Sequence, residues 1–422
     1  SEERIDAACR RVLEMKYDLG LFSNPYKYCD TLRAQKVTYS AENRAEARRI
    51  AAETFVLMKN NNVLPLQMKG RIALIGPMAD AANNMCGMWS MTCDPTKHSS
   101  LLDRLRAAAG DRAEILYAKG SNVYYDEKME AGAVGIRPLQ RGDDRKLLAE
   151  ALSVASRADV IVAAVGECSD MSGESASRTD IRIPDAQSDL LKALVKTGKP
   201  VVLLLFTGRP LDLTWESANV PAILNVWFGG SETGDAVADV LFGKVSPSGK
   251  LTTTFPRSVG QMPLYYSQMA TGRPDGDPNT FNRYASNYID CPNDGLYPFG
   301  FGLSYTTFEY GEMKLSSETM PKGGTINVTV PVKNTGNCDA AETVQLYIRD
   351  KYADIARPVK ELKGFSRIFL KKGESRDVTF TISSDELKYY NADLVYKYDA
   401  GEFEVMVGPN SRDVQVQTFV AE

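Results

Sequence analysis

Four short and almost unbroken apolar runs constrain this chain more than any other feature: 71–75 (RIALI), 160–165 (VIVAAV), 201–206 (VVLLLF) and 222–228 (AILNVWF). Each is short enough for a strand and too continuously apolar for a strand with one wet face. Helical stretches lie between and before them, over 41–57, 144–156, 185–197 and 234–241. Doubly buried strands alternating with helices predict a mostly parallel sheet in a layered α/β domain. Ligands of such domains sit where loops leave the carboxyl ends of the strands, so the loops after Ile75, Val165, Phe206 and Phe228 are the ones to inspect.

The flanks read differently. Residues 1–30 predict one amphipathic helix and its exit: Glu2 and Glu3 suit a helix start, Ile5, Ala8, Val12, Met15 and Leu19 recur at helical spacing, and Gly20 stops the run. A lone amphipathic helix implies a partner for its apolar face. Over 256–310, Pro256, Pro263, Pro274, Pro278, Pro292 and Pro298 forbid long helices, while the many tyrosines predict an ordered wrapping segment. Asp275-Gly276-Asp277 within it reads as a turn, since Asp-rich calcium-loop spacing is absent. Beyond Phe308 the runs 325–333, 342–349, 360–370, 375–382 and 401–408 alternate apolar and polar residues between turn signals. About seven such strands in about 110 residues predict an immunoglobulin-like or fibronectin type III-like sandwich.

At 422 residues and a net charge of −4, nothing invites nucleic acid or an anionic membrane. Seven scattered cysteines form neither a zinc framework nor a disulfide scaffold, although Cys86 and Cys93 could make one local bridge. His98 is the only histidine, and its loop suggests a structural or exposed residue, which leaves Ser-His-Asp and Cys-His catalysis unsupported. No GxGxxG or GxxxxGK[ST] follows a strand, so no nucleotide cofactor is expected, and no metal or other cofactor either.

The loop after Val165 is the most informative stretch, with Glu167, Asp170, Glu174 and Asp180 packed into a polar, Gly- and Ser-rich connection. Taken alone it could be a solvated acidic loop pairing with Arg178. Trp89, among Met85, Met88 and Met91, could be a core aromatic or a platform for the apolar face of a sugar.

Several segments, in order, resemble glycoside hydrolase family 3: 12–26 (VLEMKYDLGLFSNPY), 57–66 (LMKNNNVLPL), Thr207-Gly208-Arg209-Pro210-Leu211, 227–234 (WFGGSETG), 238–250 (ADVLFGKVSPSGK), Phe255-Pro256-Arg257 and 296–308 (LYPFGFGLSYTTF). Thr207 stands where the family commonly has Asn. The resemblance covers nearly the whole chain and implies the C-terminal portion of a bacterial β-glucosidase-type enzyme, lacking the N-terminal catalytic barrel. It implies residues 1–30 as the last helix of an upstream TIM-like barrel with its linker, 31–310 as the α/β sandwich domain including the wrapping segment, and 311–422 as the fibronectin type III-like domain.

The activity implied is retaining exo-β-glycosidase chemistry on terminal non-reducing β-linked sugars, which needs two carboxyl groups about 5–5.5 Å apart. The family's nucleophilic Asp lies in the barrel, so the resemblance assigns this chain the general acid/base. Matching the family's loop ending onto Ser175-Ala176-Ser177-Arg178-Thr179-Asp180 places it at Glu174. Glu167 is the rival; directly after the strand, it suits hydrogen bonding to loop amides. The resemblance assigns Trp89 to the sugar beyond the cleavage point; Arg178 and Asp180 are expected to order the loop, and Arg209 to buttress the sheet edge through its planar fork. Expected partners are an oligosaccharide, disaccharide or aryl β-glycoside and the missing barrel, with a homodimer among the assemblies allowed. Related bacterial enzymes suggest a periplasmic or secreted location. The chain alone is expected to be inactive. The alternative is a non-catalytic carbohydrate-binding or assembly module built from the same domains.

Overall fold

The computed structural model describes residues 1–90, 92–134, 139–273 and 282–422. These divide into two units, Ser1–Ala47 and Arg48–Glu422. The first carries α1 (Glu2–Asp18) and α2 (Arg33–Val37) and leads into α3 (Ala41–Thr54). Glu2 and Glu3 sit in the first turn of α1 and Lys16 in the last, matching the helix dipole at both ends. Gly20, at φ 73°, turns the chain out of the helix. No residue of α1 is buried, and Ile5, Leu13, Met15 and Phe22 stand exposed. Among the described residues no helix is long and apolar enough to cross a membrane.

The second unit opens with a six-stranded sheet: β1 (Val56–Asn60), β2 (Arg71–Ile75), β3 (Glu114–Ala118), β4 (Val160–Gly166), β5 (Val201–Phe206) and β6 (Ala222–Asn225). The spatial order is β1-β6-β5-β4-β2-β3, all neighbours parallel except β1, which runs antiparallel to β6 at one edge. Two sequence expectations need correcting. The helix read over 41–57 ends at Thr54 and the chain then enters β1, because Phe55 is buried outside the helix and Val56 and Leu57 are buried sheet residues. The strand read over 222–228 ends at Asn225, since Trp227 takes a φ of 52° that no strand accommodates.

Alternation along each strand divides the core in two. Ile72, Leu74, Val162, Ala164, Val202 and Leu204 face a cluster with α4 (Leu101–Ala109) and, later in the chain, α9. Ala73, Ile75, Ile161, Ala163, Leu203 and Leu205 face another with α6 and α7. These helices belong to the series α5 (Glu127–Val134), α6 (Asp144–Arg157), α7 (Asp185–Lys196), α8 (Thr214–Asn219) and α9 (Thr233–Leu241). All six β5 residues are buried, so truncating Leu203 or Leu204 to alanine costs about 2–5 kcal/mol.

From Leu251 the chain returns across this layer. Leu251 N donates to Phe301 O at 2.8 Å, Phe255 and Tyr297 form an antiparallel bridge, and Leu303 bridges Leu57 of the edge strand. Tyr266 stacks on Phe299 with centroids 4.1 Å apart and meets the edge of Tyr347. Asp275-Gly276-Asp277, Pro274 and Pro278 lie outside the described residues.

The sandwich follows. Its strands are β7 (Phe308–Tyr310), β8 (Lys314–Leu315), β9 (Thr319–Met320), β10 (Ile326–Asn334), β11 (Ala340–Asp350), β12 (Glu361–Leu370), β13 (Ser375–Ile382), β14 (Tyr389–Tyr390), β15 (Tyr396–Lys397), β16 (Gly401–Gly408) and β17 (Gln415–Ala421). One sheet holds β13-β10-β7 with β8 also on β10, the other β12-β11-β16-β17-β9, and β14 pairs with β15. Val328, Val330 and Val332 interleave with Val344, Leu346, Ile348, Val405 and Val407 between the sheets. The fold class is thus an α/β layer with a mostly parallel sheet, followed by an all-β sandwich. Lys250 joins the two, donating to Gly302 O at 2.9 Å and Glu342 Oε1 at 3.1 Å, while Tyr310 OH donates to the same Oε1 at 2.9 Å.

Candidate active site

The loops after β2, β4, β5 and β6 converge at one edge of the sheet, and glycines let them approach. Gly166 closes β4 with φ 133°, and a Cβ there would lie 2.0 Å from the Phe206 carbonyl. Its N–H donates to Gln187 Oε1 at 2.8 Å and its carbonyl accepts from Gln187 Nε2 at 2.9 Å. A Cβ on Gly208 would lie 2.1 Å from Ser172 Oγ, and one on Gly87 3.1 Å from the Phe228 side chain.

Glu167 follows Gly166 and is fully buried. Its N–H extends the ladder by donating to Phe206 O at 2.7 Å. Its carboxylate accepts from Arg178 Nη1 at 2.8 Å, Thr207 Oγ1 at 2.8 Å and Gly208 N at 3.3 Å. Arg209 Nε stands 2.9 Å from Oε1, an ion-pair approach without hydrogen-bond alignment. Both oxygens are occupied, so Glu167 acts as the hub that holds Arg178 and Arg209 in place.

Besides facing Glu167 at the end of β4, Arg209 reaches the β4 loop. Nη2 donates to the carbonyls of Met171 and, at 2.7 Å, Ala176. One guanidinium therefore clamps both ends of residues 172–175. Within the clamp, Ala176 N donates to Gly173 O at 3.3 Å, closing a turn with Glu174 and Ser175 at its tip. Ser175 takes φ 57°, a conformation that costs a non-glycine residue of order 1 kcal/mol. Glu174 is exposed and makes no hydrogen bond or ion pair among the described residues.

Arg178 also donates to Tyr124 OH at 3.2 Å and Arg182 O at 2.9 Å. Asp180 pairs with Arg182 at 2.6 Å, not with Arg178, and these hydrogen bonds hold its carboxyl down to about 2. Cys168 is buried beneath the loop, and desolvation pushes its thiol well above the usual range.

Trp89 is no core aromatic: it is 68% exposed, on the loop after β2. Around it Met78, Ala79 and Met85 are buried, and Cys86 and Cys93 form the local bridge that their spacing left open. Asn84 Oδ1 accepts from Ser169 N at 3.0 Å, and Gly230 N donates to Met85 O at 3.0 Å. The loop is thereby tied to the β4 and β6 loops. A Cβ on Gly173 would lie 2.6 Å from Met88 Sδ, which places the turn of Glu174 beside the residue preceding Trp89.

Sequence reasoning named Glu174, Glu167, Trp89, Arg178 and Asp180 but missed Asn84, Gln187 and Tyr124. These contacts are 54 to 85 residues long for Tyr124 and Asn84, and no local pattern announces them.

An acid-bearing loop at the carboxyl edge of an α/β sheet, with a fibronectin type III-like sandwich behind it, is the arrangement of the C-terminal region of a glycoside hydrolase. Residues 55–305 match the family described as glycosyl hydrolase family 3 C-terminal domain, and residues 342–411 match the fibronectin type III-like domain. The chain belongs to glycosyl hydrolase family 3. It is 45% identical over 98% of its length to a periplasmic beta-glucosidase of Salmonella typhimurium, and 38% identical over 98% to a beta-xylosidase of Formosa agariphila. A beta-glucosidase from Listeria innocua, solved in complex with gluconolactone, superposes with a TM-score of 0.86 at 34% identity over the whole chain. The chain covers 55%, 54% and 55% of these three proteins, so it spans about half the length of the relatives it matches.

Proposed function

We propose that this chain supplies the general acid/base of a retaining exo-β-glycosidase of β-glucosidase type, with Glu174 in that role and Trp89 on the leaving-group side. The nucleophilic aspartate then comes from an N-terminal TIM-like barrel outside these residues, of which residues 1–30 are the last helix and linker. The α/β domain is taken as residues 31–310 and the sandwich as 311–422, with β7 at the boundary already paired to β10 of the sandwich.

The observation that carries the reading is the contrast between the two glutamates of one loop. Glu167 is consumed by two guanidinium groups, a hydroxyl and an amide. Glu174 stands unengaged at the tip of a turn whose two ends are fixed by Arg209. A proton-transfer group needs both a fixed base and a free carboxyl.

In the first step the Glu174 carboxylic acid protonates the glycosidic oxygen as the barrel's aspartate attacks the anomeric carbon, so the C–O bond breaks and a glycosyl-enzyme ester forms. In the second, the Glu174 carboxylate takes a proton from the water that attacks the same carbon, releasing the sugar and restoring both groups. The Trp89 indole face offers a platform for the departing sugar. The relatives carry both glucosidase and xylosidase names, and the sugar is chosen in the barrel. The name of the Salmonella relative supports a periplasmic or secreted location, and a homodimer is a compatible assembly.

The test is glycosidase activity of the full-length polypeptide beside Glu174→Gln. The variant is expected to lose turnover of an unactivated disaccharide, to keep much of its turnover of an aryl glycoside with a good leaving group, and to be rescued by azide. Equal turnover of both substrates by variant and parent would remove the acid/base role from Glu174, and a parent that turns over neither substrate would leave the non-catalytic module as the better reading.

A further inference from the structure

The loop that presents Trp89 is closed twice. The Cys86–Cys93 disulfide, spanning seven residues, makes a ring with Trp89 on it. His98, only 8% exposed, sets Nε2 2.8 Å from the Ala82 carbonyl and Nδ1 3.1 Å from the Asp94 carbonyl. The imidazole thus ties the residue four before Cys86 to the residue just after Cys93. Inside the ring Ser90 Oγ donates to Gly87 O at 2.6 Å, and Gly87 adopts φ 73°. Asn84 and Met85, at its foot, are bound to Ser169 and Gly230 as described above.

The ligand atoms of Cys86, Cys93 and His98 lie within 4.8 Å of one another, a spacing that a metal ion could accept. The two sulfurs are bonded to each other, however, and both imidazole nitrogens sit against backbone carbonyls. The cluster is therefore a brace rather than a ligand set.

An exposed indole contributes to binding only in so far as its loop is ordered beforehand, because ordering on contact subtracts from the stacking gain. A covalent ring removes that disorder in advance. We propose that the Cys86–Cys93 disulfide, with His98 packed at its base, positions Trp89 for the leaving-group sugar, so that efficient cleavage of glycosides with a sugar leaving group depends on the disulfide. Cys86, Cys93 and His98 are positioning residues in this scheme. The inference rests on the assignment of Trp89 to the leaving-group side.

The test uses the full-length polypeptide and two substrates: a β-linked disaccharide, and a β-glycosyl fluoride whose one-atom leaving group cannot reach an indole. Peptide mapping without reductant is expected to find Cys86 and Cys93 linked; free thiols at both positions would overturn the proposal. Trp89→Ala is expected to lower kcat/KM on the disaccharide roughly tenfold more than on the fluoride, the worth of one lost stacking contact. Cys86→Ser/Cys93→Ser is expected to show the same selective loss, carried mostly in KM, and the triple variant to lose no more than either. Mild dithiol treatment of the parent should reproduce the loss and reoxidation should reverse it, which separates positioning from misfolding of the variant. If Trp89→Ala is selective while the cysteine variant and the reduced parent behave as the parent, the brace is refuted and the Trp89 assignment survives. If Trp89→Ala leaves both substrates unchanged, the leaving-group assignment itself fails and the brace falls with it. Equal loss on both substrates after reduction likewise rejects the positioning role.

Discussion

Met88 lies against Gly173: a Cβ on that glycine would come within 2.6 Å of the Met88 Sδ. The loop of Trp89 and the turn of Glu174 therefore meet at a residue with no side chain. Gly173→Ala forces Met88 aside, and a thioether moves readily. Stability is expected to fall by no more than about 1 kcal/mol. Activity on a disaccharide is expected to drop by about 10²-fold, since a displacement near 1 Å is enough to misplace a proton donor. Denaturation midpoints and kcat/KM measured on the same preparation separate the two effects.

Glu167→Gln is expected to behave differently from Glu174→Gln. It leaves Arg178 and Arg209 without the carboxylate that both face, and breaking such a buried pair costs about 3–5 kcal/mol. Activity should fall on activated and unactivated substrates alike, with no azide rescue and an earlier urea midpoint. Glu174→Gln, at an exposed tip, should stay within about 0.5 kcal/mol of the parent. A midpoint for Glu167→Gln equal to the parent's would show that the hub is dispensable.

Glu216 provides a pH dependence. Burial in α8 pushes its carboxyl up to about 7, outweighing the opposing effects of its own backbone N–H, Lys192 and Arg182. The folded state therefore binds a proton that the unfolded chain releases near its ordinary value of 4.5. Stability falls as pH rises from about 4.5 to about 7 and is then level, by about 3 kcal/mol in all from this group. Glu216→Gln should flatten that slope and be at least as stable as the parent at pH 8. Melts at pH 5 and pH 8 decide it, and parallel pH profiles for the two proteins would refute the assignment.

Lys250→Met tests the junction between the layers. Among the described residues Glu342 then keeps only Tyr310 as a side-chain donor, in a site where its side chain is 5% exposed. A loss of about 3 kcal/mol is expected. If Lys250→Met and Lys250→Met/Glu342→Gln unfold at the same midpoint, the stranded carboxylate is not what destabilises the junction.

Much of this architecture was legible because β2, β4 and β5 are continuous apolar runs with no helical alternative of that length. β1 and β3 were not legible. Val56–Asn60 follows α3 with only Phe55 between them, and its pairing with β6 is a long-range contact that no local pattern announces. Glu114–Ala118 is an edge strand whose burial is mixed. In the site, the family motif marks the loop but not the fate of each acid. Glu167 and Glu174 differ by their cationic neighbours, and Arg209 reaches Glu167 from 42 residues away. Sequence proximity could suggest Arg178 as a loop partner, yet the carboxylate that it meets was not evident from spacing.

The strap from Leu251 to Leu303 also bears on how such a chain can be inherited. Leu303 lies against Leu57 near the beginning of the α/β layer, while Gly300 O accepts from Gln345 of the sandwich at 3.0 Å. A recombination crossover between these points would pair a sheet edge from one parent with a strap from another. Exchanging the sandwich alone between relatives would put the Gly300–Gln345 contact at a parental seam.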